Sequence, residues 1–221
     1  VGSFLTGAQG TDWRMFNDNG TSLIEMSATS TMSTGVGYWL LRKGNLVFPA
    51  FIVTIPHSNP DGTYSIPLHP GWNIIAEPFD KSLPWPAVLV ANAISTDTAL
   101  YTYNGSYSTT NTLEPFKGYY FFNRANLSRL KMPYPFGATQ PTPSTPVPQR
   151  LEESWTLQVG FESDINEDRE NYVGILQDAK QGLDKHDNHK PPPFLDQGSL
   201  YFPRSDWDAA YPRFSSDIRP S

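Results

Sequence analysis

Short apolar runs separated by turn dipeptides set the pattern over the first two thirds of the chain. Val, Ile, Phe, Tyr and Trp cluster in brief segments bounded by Gly, Pro, Asn and Asp, the signature of strands. The pattern predicts strands over Trp13–Phe16, Leu23–Met26, Val36–Leu41, Leu46–Ile55, Thr63–Leu68, Trp72–Ala76, Leu100–Tyr103, Gly118–Phe122 and Leu127–Lys131. Asn19-Gly20, Asn59-Pro60-Asp61-Gly62, Pro70-Gly71 and Asn104-Gly105 fall between them and either tolerate positive φ or pre-set a turn. Asn104-Gly105, set between Tyr101/Tyr103 and Tyr107, is the strongest local hairpin signal. No segment sustains a period of about 3.6 residues. The fold class is all-β.

Residues Ala138–Gln149, ATQPTPSTPVPQ, interrupt this pattern. Prolines interleaved with Thr and Ser cannot pack a core and favour extended polyproline geometry. The expected organisation is therefore a first unit over 1–137, a Pro/Thr-rich linker over 138–150 and a second unit over 151–221, each sandwich-like. In the second unit Trp155, Leu157, Val159 and Phe161 alternate with Thr156, Gln158, Gly160 and Glu162, predicting a half-buried strand. Tyr172–Ile175 and Ser199–Phe202 read as further strands, and Gln177–Gly182 as a helical turn or a loop. So few apolar runs make a thin core, and this unit reads as incomplete.

The first unit carries an internal echo. Asp12-Trp13-Arg14-Met15-Phe16-Asn17 leads through Asn19-Gly20 and a Ser/Thr stretch to Gly35-Val36-Gly37-Tyr38-Trp39-Leu40-Leu41. Leu100-Tyr101-Thr102-Tyr103-Asn104-Gly105 leads through another Ser/Thr stretch to Pro115-Phe116-Lys117-Gly118-Tyr119-Tyr120-Phe121. Gly71-Trp72-Asn73-Ile74-Ile75-Ala76 precedes the second copy and has no counterpart before the first.

Composition narrows the function classes. At 38% hydrophobic and 14% aromatic the chain is too apolar for disorder, while 21 Pro and 16 Gly oppose a helical bundle. A net charge of −6 leaves no basic footprint for nucleic acid. No apolar run reaches membrane-spanning length. Zero Cys removes any disulfide framework, so stability must come from burial.

Candidate chemistry is sparse. His186 and His189 lie beside Asp184 and Asp187, but no third spaced His, Cys or HExxH pattern joins them, and a solvated loop accounts for them. Asp164, Asn166, Asp168 and Glu170 place oxygen ligands at alternate positions, as calcium loops do. Arg169 and Ile175 stand where an EF-hand needs Gly and the bidentate Glu. That segment reads either as a calcium site or as a solvated acidic loop. No nucleophile elbow or phosphate-binding glycine loop occurs. Glu25, Glu77, Asp80 and Glu114 form no pairing that sequence alone assigns to glycoside hydrolysis. The aromatics read either as core or as a carbohydrate-stacking platform. Trp39 and Trp72 are the expected core members, and Tyr38, Trp85 and Tyr119 the candidate ligand contacts, the two Tyr facing outward.

Four motifs carry a resemblance. Trp13-Arg14-Met15-Phe16, Gly35-Val36-Gly37-Tyr38-Trp39-Leu40, Gly71-Trp72-Asn73-Ile74-Ile75-Ala76-Glu77-Pro78-Phe79 and Leu113-Glu114-Pro115-Phe116-Lys117-Gly118-Tyr119 resemble a module of long bacterial secreted and surface proteins. Many of these proteins use the type IX secretion route. The tail, through Asp168–Gly174, Ala179–Asp187, Pro191–Pro193 and Ser199–Phe202, resembles the segment that follows in such proteins. The resemblance implies an extracellular β-rich piece of a longer parent, with no catalytic residue. The expected function is a non-catalytic structural or interaction module, such as a subunit of a surface assembly or filament. Its expected partners are other segments of the parent or neighbouring subunits, joined by strand pairing. A carbohydrate-binding module binding glycans is the alternative, and an enzyme the third reading.

Overall fold

The computed structural model describes residues 1, 5–45, 59–135, 154–164, 166–193 and 198–221. The expected strand Leu46–Ile55 and linker Ala138–Gln149 lie outside them. In chain order the elements begin with β1 (Trp13–Asp18), β2 (Leu23–Glu25), β3 (Trp39–Arg42), β4 (Thr63–Pro67), β5 (Gly71–Ala76) and β6 (Leu83–Pro84). A short helix α1 (Trp85–Ala91) follows, then β7 (Leu100–Tyr103), β8 (Tyr107–Thr110), β9 (Thr112–Leu113), β10 (Gly118–Asn123) and β11 (Arg129–Pro133). The remainder holds β12 (Trp155–Gln158), β13 (Phe161–Glu162), β14 (Glu167–Asp168), β15 (Tyr172–Ile175), β16 (Phe202–Pro203), β17 (Arg213–Phe214) and β18 (Ser216–Arg219). The fold is all-β.

The chain divides into two compact units, Val1–Ile94 with Asn111–Gln140, and Ser95–Thr110 with Pro141–Ser221. A linear division at the Pro/Thr stretch assigns the β7–β8 hairpin to the first unit; its packing assigns it to the second. The reason is local. Tyr101 Oη donates to His189 O at 3.4 Å and Tyr107 Oη to Pro192 O at 3.0 Å.

In the first unit β1 pairs antiparallel with both β2 and β3. Leu5, Trp13, Met15 and Met26 bury together beneath this sheet, with Tyr38 and Leu40 packed against them. β5 pairs with β10, and smaller ladders join β4 with β11 and β6 with β9. Helix α1 buries Trp85, Val88 and Leu89 at helical spacing, and a Pro stands in its first turn, where no N–H is needed. Asn92 closes it: Nδ2 donates to Val88 O and Lys131 O, and Oδ1 accepts from Lys131 N, stitching the helix to β11.

Two buried asparagines hold the turns around β5 and β10. Asn73 Oδ1 accepts from His69 N, and its Nδ2 donates to His69 O and Gly71 O. Asn123 Nδ2 donates to His69 O and Leu127 O. Each satisfies backbone groups that a tight turn would otherwise leave unpaired in the interior.

In the second unit β12, β15 and β18 form a three-stranded sheet, antiparallel between β12 and β15 and parallel between β15 and β18. The hairpin β7–β8 turns through Asn104-Gly105-Ser106, where Gly105 takes φ +86°, and Tyr103 meets Tyr107 edge to face across it. Phe214 is fully buried, packed between His189 and Trp207. Strand β12 departs from expectation. All four of its residues are exposed, because among the described residues nothing packs on the face that Trp155 and Leu157 share.

Candidate functional site

The four residues proposed for calcium do not converge. Glu167–Asp168 form strand β14 against β13, so alternate oxygens spread along an extended backbone instead of curling around a point. Asn166 Nδ2 donates to Gly198 O at 2.7 Å and its Oδ1 accepts from Ser163 Oγ. Glu170 accepts from the Tyr172 hydroxyl, and Asp164 is exposed. Asp168 turns inward to other partners. Among the described residues no three His, Cys, Asp or Glu side chains gather as a metal site requires. Strand pairing competes with loop chelation here, and the β13–β14 ladder sets where Asp168 lies.

Two of the three candidate aromatic contacts are buried. Trp85 is buried at the start of α1, edge-on to Phe121 at 5.3 Å. Tyr119 is buried too; its hydroxyl accepts the Glu114 N–H at 2.7 Å, and burial pushes its pKa up. Neither shows a ring face on which a sugar could stack. Tyr38 is half-buried and its hydroxyl accepts the Ser33 N–H at 2.7 Å. The rule that one aromatic of each pair faces out fails for β10, where Tyr119, Tyr120 and Phe121 are all buried. The unbroken run Tyr-Tyr-Phe-Phe was the available signal, since a strand covered on both faces reads as a continuous apolar run. Trp72 is buried as expected, whereas Trp39 is only half-buried.

The candidate carboxylates hold structural posts. Glu25 pairs bidentately with Arg14, and Glu114 with Lys117. Glu77 caps the turn that follows β5 by accepting the Phe79 N–H, and burial raises its pKa.

The structure does assemble a polar cluster that the sequence did not announce. Lys190 Nζ donates to Asp168 Oδ1 at 2.5 Å and to Asn171 Oδ1 at 2.8 Å. Asn171 Nδ2 donates to the same Asp168 Oδ1 at 3.0 Å. Leu200 N and Ser199 Oγ hold Asp168 Oδ2 at 3.0 and 3.3 Å. Burial is near complete: the Lys190 side chain is 2% exposed and Asn171 0%. Desolvation lowers the Lys190 pKa against the opposing pull of Asp168, and the nearby Arg213 charge adds to the lowering. Strand β14 supplies Asp168 and the residue before β15 supplies Asn171. Lys190 is fixed by its own N–H, which donates to Arg213 O at 2.8 Å. A narrow cleft with about 20 Å³ of free interior, room for about one water, leads toward Asp168 between Tyr103, Tyr107 and Ser199. A lone Lys before three prolines reads as solvated, and only tertiary pairing across 22 residues reveals otherwise.

The other distinctive surface is strand β12. It lies at one edge of its sheet and exposes Trp155 at 51% and Leu157 at 56%. Beside it, the ring of Phe161 fills the space above Gly198, where an added Cβ would stand 2.6 Å from the ring. No family model matches this chain, and no curated protein or solved structure matches it either.

Proposed function

We propose that this chain is a non-catalytic structural and interaction module of a bacterial extracellular or cell-surface protein, joined to its neighbours by strand pairing along β12. The observation that carries the reading is the exposed apolar pair Trp155 and Leu157 on an edge strand. An open edge offers unpaired N–H and C=O groups to another strand, and an apolar face beside it rewards the partner that covers it. Support also comes from the occupied posts of Glu25, Glu77 and Glu114, each committed to a local structural contact. The motif resemblance to long surface proteins supplies the extracellular setting. No observation favours the carbohydrate-binding alternative, because Trp85 and Tyr119 lie in the interior.

Sedimentation at rising concentration, together with amide exchange along β12, tests the reading. The expected result is concentration-dependent association that slows exchange in β12, and its loss in Leu157→Lys. A chain that stays monomeric with β12 amides already protected at low concentration would show a closed edge and refute it.

A further inference from the structure

The buried cluster in the second unit has more order than an ion pair needs. Nucleophile, acceptor and proton carrier are all present. Lys190 Nζ lies 2.8 Å from the Asn171 amide oxygen, which places it against that amide group. A single oxygen, Asp168 Oδ1, touches both Lys190 Nζ at 2.5 Å and Asn171 Nδ2 at 3.0 Å. The first nitrogen must lose a proton for attack, and the second must gain one to leave. The other carboxylate oxygen is held by Leu200 N and Ser199 Oγ, which fixes the carboxyl in place.

We infer that Lys190 and Asn171 become joined by an intramolecular isopeptide bond, with Asp168 carrying the proton between them. In the buried site the Lys190 ammonium passes a proton to the Asp168 carboxylate, giving a neutral amine and a neutral acid. The amine lone pair attacks Asn171 Cγ, forming the Nζ–Cγ bond and a tetrahedral centre. Asp168 donates its proton to Nδ2 and takes up the proton released from Nζ. The Cγ–Nδ2 bond breaks and ammonia leaves, removing the excess proton as ammonium. No oxidant, metal or cofactor enters the balance.

The surroundings favour each step. Burial penalises the separated charges, so the neutral amine and acid are reached at lower cost than in water. Desolvation lowers the Lys190 pKa in the same sense. Burial of the Lys190 and Asn171 side chains limits the water that could compete as nucleophile. All three side chains are held by the fold within contact distance, so a reaction that is very slow between free side chains becomes effectively unimolecular. The bond would tie the start of β15 to the segment at β17, in a chain that has no cysteine to do so.

Intact mass spectrometry of the folded, unmutated chain tests the inference, followed by fragment mapping under denaturing conditions. The expected mass is lower than the sequence mass by one ammonia, with a branched peptide joining the segments that contain Asn171 and Lys190. Lys190→Met and Asp168→Asn should restore the full unreacted mass of their sequences. A wild-type chain at full sequence mass overturns the proposal, whatever the variants do. So does an ammonia loss mapped to Asn19-Gly20 or Asn104-Gly105, which would be succinimide formation. Loss of one water, with Lys190 linked to Asp168, would also overturn it by assigning the acceptor differently.

Discussion

Trp39 donates its indole N–H to the hydroxyl of Tyr120 at 3.0 Å, across 81 residues of chain. The bond links the two Gly-aromatic-aromatic segments of the internal echo, and strand β5 lies between those segments. β10 pairs with it along one edge, and the Gly35–Gly37 stretch meets the other through Gly37 N to Ile74 O and Ala76 N to Gly35 O. The echo is thus a spatial relation as well as a sequence one: each copy lays its glycine segment against the same central strand.

A double-mutant cycle on Trp39→Phe and Tyr120→Phe measures this link. Each single change should cost about 0.5–1.5 kcal/mol, and the pair less than their sum, because both remove one hydrogen bond. Urea unfolding midpoints provide the readout. Strict additivity would mean the bond contributes nothing.

Gly37→Ala should destabilise the chain by about 1–3 kcal/mol. Its Cβ would stand 2.4 Å from Ile74 Cγ2 and 3.1 Å from the Ile75 carbonyl, and the backbone cannot give way without losing the contact to β5. Gly182→Ala is the control, since nothing lies within 4 Å of that position, and thermal melts should separate the two.

Trp72→Ala should cost about 3–5 kcal/mol through lost burial and the cavity left behind. Trp72 is buried edge-on against Tyr120 and Phe122. Denaturant titration with unchanged slope would confirm a stability effect and not an altered unfolded state.

Alkaline stability depends on Tyr101. Burial pushes its pKa from 10.0 up to about 12, so the folded state keeps a proton that the unfolded chain releases. The stabilisation is fully present below pH 10 and is lost as pH rises through about 12, amounting to about 3 kcal/mol at most. Tyr101→Phe should flatten that loss. Unfolding curves at pH 9 through the alkaline limb, an interval on the order of two or three pH units, would show it.

Strand existence was legible in the sequence because alternation and turn dipeptides are local. β1, β2, β4, β5, β7 and β10 each fall on an expected run. β3 starts late, at Trp39, because Gly35–Gly37 is committed to β5. Helix α1 was missed: Pro near its start and apolar residues at 85, 88 and 89 were its signals, drowned by the surrounding strand pattern. The acidic residues were seen, but not their use. Whether Asp168 faces a metal or Lys190 is decided by a residue far along the chain, and spacing holds no record of that. The outward reading did not hold for Tyr119, which is buried, its hydroxyl held by the Glu114 N–H and its strand paired to β5.

The placement of the β7–β8 hairpin has a consequence for timing. A chain delivered from its N-terminus presents Tyr101 and Tyr107 well before His189 and Pro192, whose carbonyls receive their hydroxyls. Residues of the other unit, Asn111–Gln140, emerge in the interval. The first unit can therefore complete itself around a loop whose own partners have not yet arrived, and the hairpin must wait. Shortening the chain anywhere before Pro192 would leave that hairpin permanently early.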